Sequence, residues 1–381
     1  MGKIYDKASI IIPQGAPYET QYIWAAKPLS DNARMQYVRT GAATRITDCG
    51  EVKQVPANVP QYDYIDGKPW LRLEKQSTNL ITNSISLNSS FTAASATASQ
   101  GSAPSPEGKI NAVTIGCSNS DAHYYTIVGT ANAGTQHVFS CWYKGTAGET
   151  VRMRALNSGT GAVDAEKLIT FTGEWQREYI SFVPGTTYSY AYIVDRRTSV
   201  GTATSFQAFG AQIEFGYIPT SFIRTVGSTA TRPQSFYHYD AFKSGYEFTS
   251  AGWSYATKIK WGGELGNGGN VKRFATSGYS QVWYLLEPYN NNNTAYLSLA
   301  PAGTVLASTV NFDKFIVYRY NGSVLSVYND GNLLASGTVA MSGNFVNKDR
   351  YGDSGFIGHM GDELYFNQCL SETEAIELSL K

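Results

Sequence analysis

Tyr188, Tyr190 and Tyr192 alternate along one short stretch, a spacing that puts their side chains on one face of a β-strand. Aromatic faces displayed in this way can stack on pyranose rings, while Asn, Asp, Gln or Arg side chains fix the hydroxyls. Tyr124, Tyr125 and Arg196 are candidates for the same surface, and Trp283, Tyr284, Tyr289 and Asn291 form a second aromatic and amide group further on. Core packing, an oligomer contact and a ligand platform are equal readings of the tyrosine face. Trp142, Trp175, Trp253 and Trp261 read as core residues.

Residues for covalent or acid–base chemistry are scarce. The four histidines (His123, His137, His238 and His359) include no helical i, i+4 pair, and there is no G-x-S-x-G, P-loop or dinucleotide fingerprint. Glycoside hydrolysis needs two carboxylates about 5–10 Å apart across a groove. Asp362 and Glu363 are adjacent, so on a strand they point to opposite faces. The chain is therefore expected not to be an enzyme. The same two carboxylates are candidates for a structural calcium site, set against the simpler reading of a solvated pair beside a hairpin. No other cofactor is expected.

Composition frames these candidates. The 381 residues carry no formal net charge, and only 16% are charged, so nothing points to nucleic acid or to an anionic membrane surface. With 27 Tyr and 37 Gly, the chain favours pleated, half-exposed surfaces joined by turns. No apolar run approaches the roughly 20 residues of a membrane helix, and no export signal is visible. Cys49, Cys117, Cys141 and Cys369 show no metal-ligand spacing; Cys117 and Cys141 would pair only if their strands were neighbours, and buried free thiols are the expected state.

Patterning then supplies the elements. Asp66-Gly67 marks a tight hairpin near the N-terminus. Alternating segments with regular turn signals from 112 to 215 suit a jelly roll, with Phe139, Cys141 and Tyr143 on one face of a central strand and Val138, Ser140 and Trp142 on the other. The stretch 84–106 reads as a loop or an irregular first strand. Asn321-Gly322 and Asp330-Gly331 predict two type I′ turns of a three-stranded meander. Ser371 with Glu374 predicts a capping box opening a short C-terminal helix.

Two stretches carry a resemblance. GAQIEFGYIPTSFIRT followed by STATR, together with ATRITDCGEVKQVPANVPQYDY and LEKQSTNLITNS, resembles the closing and opening signatures of carbohydrate-binding-module-like jelly rolls in phage and prophage tail or fibre proteins. YNDGNLL, GHMGDELYF and LSETEAIEL resemble a laminin-G-like or concanavalin-like sandwich. The expected fold class is all-β. A small N-terminal hairpin unit (1–80) precedes a jelly roll (81–225), a linker (226–239) and a concanavalin-like sandwich (240–381), with one short C-terminal helix. The resemblance implies a non-catalytic phage virion appendage, a tail or head fibre, that adheres to host-surface glycan. It further implies a homotrimer with other virion proteins as partners, made in the host cytoplasm and located in the virion. The alternatives are a decoration protein binding only other virion proteins and a component of a polysaccharide-degrading spike.

Overall fold

The computed structural model describes residues 2–12, 22–24, 34–128, 133–185, 189–240, 249–261, 272–275, 282–288, 294–299, 304–311, 313–338, 348–351 and 358–381. Nearly all regular structure is antiparallel β-sheet, and the helix Glu372–Ser379 closes the chain. Its capping box is formed as expected, with the Ser371 hydroxyl accepting from Glu374 N and the Glu374 carboxylate accepting from Ser371 N. A further helical turn, Gly2–Lys7, has no forecast in the sequence pattern.

The chain divides into two compact units. One comprises Met1–Ala42, Val55–Gln76 and Pro233–Lys381, and the other Ala43–Gln54 and Ser77–Arg232. The residues expected as an N-terminal piece are thus shared out between two bodies.

In the first unit the hairpin Tyr62–Ile65/Lys68–Leu73 joins the sheet of the C-terminal meander. Leu71 pairs with Met360 in the strand Gly358–Phe366, which also pairs with Ile10–Ile12. The hairpin turn has positive φ at both Asp66 (53°) and Gly67 (71°), as a type I′ turn requires. Asp330-Gly331 does the same, at 50° and 78°. At Asn321-Gly322 only the glycine is left-handed (95°). Asn321 Oδ1 instead accepts from Ser323 N and Val324 N, a side-chain turn in place of the expected type I′ pair. The apolar face of this sheet packs Ala256, Val317 and Leu364 against Ala375 and Leu378 of the terminal helix and Ile4 of the first.

The second unit is a jelly-roll-like sandwich. Its strands are β1 (Ala43–Ile46), β2 (Val52–Val55), β3 (Ser77–Asn79), β4 (Thr92–Ala94), β5 (Thr97–Pro104), β6 (Ile110–Gly116) and β7 (His123–Val128), followed by β8 (His137–Lys144), β9 (Thr150–Asn157), β10 (Val163–Thr170), β11 (Gln176–Phe182), β12 (Ser189–Asp195), β13 (Ser205–Phe215) and β14 (Ala230–Arg232). One five-stranded sheet runs β5-β6-β13-β8-β11 and the other β10-β9-β12-β7-β4. The stretch read as loop or irregular strand therefore supplies two strands, β4 and β5.

Between the sheets lies one core that includes Val113, Phe139, Cys141 and Tyr143 from the first sheet and Val151, Met153, Ala191 and Ile193 from the second. Strand β8 has the two faces its alternation predicts. Burial pushes the Cys141 thiol up to about 12, so it stays protonated and packs as a small apolar group. Both Cys117 and Cys141 are free.

The outward face of the first sheet is covered. Trp142 and Phe209 pack there with Phe222 from the segment after β13 and with Val52 from the β1–β2 hairpin, while Thr44 Oγ1 donates to Phe222 O at 2.8 Å. Gly210 sits at φ 67° where a Cβ would lie 2.7 Å from the Trp142 ring, so the GAQ glycine answers both a left-handed backbone and a close aromatic. Arg177 lies over Trp142 at 4.4 Å and donates to Thr220 O at 2.7 Å.

Candidate functional site

The motif residues that carry the resemblance are buried, and they bind the chain to itself. The Glu214 carboxylate accepts from Gln212 Nε2 (2.6 Å), Thr220 N (2.7 Å), Thr220 Oγ1 (2.7 Å) and Ser77 Oγ. Gln212 Oε1 accepts from Ile223 N, and Asn79 Nδ2 donates to Ala211 O and Ile223 O. Thr225 exchanges bonds with Ser84 and Ile81. A buried carboxylate is tolerated only when its lone pairs are filled, and here one latch fills them by joining β3, the closing strand β13 and the exit segment. These residues are structural.

The second sheet has the opposite character. Strands β12 and β7 pair, and the bulge in that pair falls on β12 at Ile193, while β7 alternates regularly and sends the adjacent Tyr124 and Tyr125 to opposite faces. Tyr124 therefore turns into the core, stacked near Phe91 with its hydroxyl donating to Asn88 Oδ1 at 2.8 Å, and it is removed from the expected surface. Tyr125 stays outside and meets Tyr190 (5.6 Å, edge-on) and Tyr192 (5.3 Å). Tyr190 and Tyr192 share the face, as their alternation predicts, with centroids 6.2 Å apart. His123, which the sequence reading left out of the site, joins them at 5.5 Å from Tyr125 and 6.0 Å from Tyr192.

Tyr192 is the floor of this group, only 4% exposed, beneath Arg197 at 4.8 Å. Burial raises its phenol above the usual value, and Arg197 partly opposes that shift. Tyr125, Tyr190 and His123 remain half-buried around it, with Ile127 58% and Leu168 55% exposed on flanking strands.

Beside the rings is a set of charges drawn from β9, β10 and β12. Arg197 donates Nε and Nη2 to the two oxygens of Asp195 (2.9 and 2.7 Å), and Arg154 Nη1 donates to the same carboxylate at 3.1 Å. Arg152 is spent on the carbonyls of Asp195 and Arg197. Burial alone would raise the Asp195 carboxyl, but the Arg197 fork, its backbone N–H and Arg154 together hold it below the usual range. Glu166, half exposed, lies 3.3 Å from Arg154 Nε.

Arg196 has a different task from the one expected. It donates to the carbonyls of Cys117, Ala203 and Gly201, pinning two loops, and its guanidinium is committed to backbone.

The remaining candidates separate. Tyr188, Tyr289 and Asn291 lie outside the described residues, and Trp283 and Tyr284 lie in the strand Val282–Pro288. Glu363 is buried and accepts from Tyr255 OH at 2.6 Å and Tyr365 OH at 3.4 Å, while Asp362 is half-buried on the opposite side of its strand. The pair therefore does not fit a shared calcium ion. Among the described residues, no group of three His, Cys, Asp or Glu side chains could hold a metal. No described helix is long and apolar enough to cross a membrane.

Comparison with protein-family models and with curated proteins gives no match. Among solved structures, the chain is similar to the CBM22-1 xylan-binding domain from Paenibacillus barcinonensis, with 11% identity, 38% of this chain, 96% of that one and a TM-score of 0.28. It is also similar to the enzymatically active domain of a bacteriophage CBA120 tailspike protein, with 12% identity, 36% of this chain, 21% of that one and a TM-score of 0.28. A sialidase mutant of Trypanosoma rangeli gives 16% identity, 38% of this chain, 26% of that one and a TM-score of 0.31. The chain thus spans about a fifth to a quarter of the tailspike and sialidase chains. At these scores the likenesses are distant, and no statement about chemistry follows from them. The second unit is a sandwich of two antiparallel five-stranded sheets, as its own strand pairing shows.

Proposed function

We propose that the chain is a non-catalytic glycan-binding protein of a phage spike or fibre, and that it holds polysaccharide on the open face of the sheet β10-β9-β12-β7-β4. One observation carries this reading: Tyr125, Tyr190 and His123 are half-buried around a buried Tyr192, next to an ordered arginine–carboxylate network. Rings set by packing are pre-organised for stacking on sugar, so little side-chain entropy is lost on binding. The buried Asp195 carboxylate lies against Arg197 and Arg154, an arrangement that favours its ionised form over a proton donor.

The binding role is the same whether the assembly adheres to a host surface or degrades its polysaccharide, and a sandwich of this type serves either. Assembly as a homotrimer with other virion proteins is part of the proposal; light scattering on the purified chain tests it, and a mass near 41.6 kDa would refute it. A glycan array tests the site. Binding is expected to weaken about tenfold in Tyr190→Ala, equivalent to roughly 1.4 kcal/mol, with the fold intact by circular dichroism. Unchanged binding in that variant would sink the assignment. Shortening of the bound polysaccharide by the isolated chain would instead transfer catalysis to it.

A further inference from the structure

We infer that the open face grips its glycan by one sugar residue at a time, a chain end or a side branch, in a cup walled by Tyr125 and Tyr190. The inference rests on the proposed glycan site and adds the form in which the sugar is presented to it. Its first support is where the rings stand. Thr92, Tyr125, Tyr192, Arg154 and Glu166 lie opposite one another in one row across β4, β7, β12, β9 and β10. The row on one side holds Ile127, Tyr190 and Leu156, and the row on the other holds Ala94, His123 and Asp195. Strands β4, β9 and β10 contain no aromatic residue. A glycan laid across the strands therefore meets stacking surface over a single interstrand spacing of about 4.8 Å.

The second support is the angle between the rings. Tyr125 and Tyr190 are inclined at 74°, so no flat run of sugar rings lies parallel to both. Tyr192 is inclined at only 31° to Tyr125, but it is buried beneath Arg197 and so supports Tyr125 instead of extending it. Arg197 hydrogen-bonds the Tyr192 phenol and pairs with Asp195, which fixes the floor of the cup. One pyranose can stack on Tyr125 with its edge against Tyr190. Polar atoms to orient it stand at the rim. His123 Nδ1 lies 2.8 Å from Asp121 O, and a carbonyl only accepts, so Nδ1 carries the proton and Nε2 of the neutral ring is left as an acceptor. Among the described residues, nothing hydrogen-bonds the hydroxyls of Tyr125 and Tyr190.

The test titrates the full chain by NMR with glucose, galactose, mannose, xylose and N-acetylglucosamine, each beside its oligomers up to the hexamer. At least one monosaccharide is expected to bind, with its hexamer tighter by no more than about sixfold, the statistical gain from equivalent residues. Subsites in series would add their free energies. A hexamer more than about twentyfold tighter than its monomer would therefore overturn the inference and leave the glycan site standing. Tyr125→Ala, with circular dichroism unchanged, should weaken monomer and hexamer alike, by about tenfold. Tyr188→Ala, on the same sequence alternation as Tyr190, should likewise leave the ratio of the two affinities unchanged. A loss confined to the hexamer in either variant would reveal a second platform and refute the single-residue cup. Unchanged binding in Tyr125→Ala would refute it too. Silence toward every monomer and oligomer would overturn this inference, and silence on the glycan array as well would remove the parent reading.

Discussion

The two five-stranded sheets of the second unit share one core and differ in what lies on their outer faces. On β5-β6-β13-β8-β11 the outer aromatics, Trp142, Phe209 and Phe222, lie under the β1–β2 hairpin and the exit segment, and the polar residues close on one another around Glu214. On β10-β9-β12-β7-β4 Tyr125 and Tyr190 remain half-buried over a buried Tyr192, and the charged groups gather at the edge of the rings around Asp195. Aromatic content alone therefore does not mark a binding face. What separates them is whether the chain itself supplies the cover.

The comparison breaks most readily at Trp142. Trp142→Ala should cost about 3–5 kcal/mol, as large aromatic deletions in cores do, in chemical denaturation, while glycan affinity of the folded fraction stays unchanged. A stability loss below 1 kcal/mol would mean that the cover is not packed as described. Thr220→Val comes next. It removes one donor to the buried Glu214 carboxylate, and about 1–3 kcal/mol should be lost, again without effect on binding.

A pH measurement sharpens the same contrast. His137 in β8 is buried between Phe182 and Phe215 and uses Nδ1 on Thr135 O, and burial lowers its pKa below the usual value of about 6.5. Above that value the imidazole is neutral in both folded and unfolded chains, and nothing is lost. As the pH falls through about 6.5 the unfolded chain takes up its proton first, so stability drops until the folded-state pKa is passed. His137→Phe should flatten this acid limb in urea titrations at successive pH values. The smallest effect is expected for Leu168→Ser on the open face, within about 0.5 kcal/mol in stability.

Period-two alternation foretold the shared face of Tyr190 and Tyr192 and both faces of β8, because these depend only on local strand geometry. The Asp66-Gly67 and Asp330-Gly331 turns and the Ser371 capping box were legible for the same reason. Tyr124 and Tyr125 cannot share a strand face because they are adjacent, so the same alternation that joins Tyr190 and Tyr192 sends Tyr124 to the core; what alternation does not announce is the extra residue, Ile193, that β12 carries opposite this point. Asp195, Arg154 and Arg197 escaped notice because their network assembles across strands and a loop, where sequence spacing carries no signal. The pairing of Leu71 with Met360 was hidden for a related reason, since both strands have many apolar partners available and only the folded chain selects one.

Strands β3 and β14 pair with each other, Ser77 opposite Arg232 and Asn79 opposite Ala230, so residues 77–232 leave and rejoin the rest of the chain at neighbouring points. That is the arrangement of a segment that can be exchanged whole, because its two ends meet. The β1–β2 hairpin lies outside the segment, yet it supplies Val52 to the cover over Trp142. A crossover limited to 77–232 would bring a new pair of sheets together with an old lid. Successful exchanges must therefore either preserve the Trp142 surface or carry a second crossover around 43–54, so an exchange that alters that surface should bring both segments together.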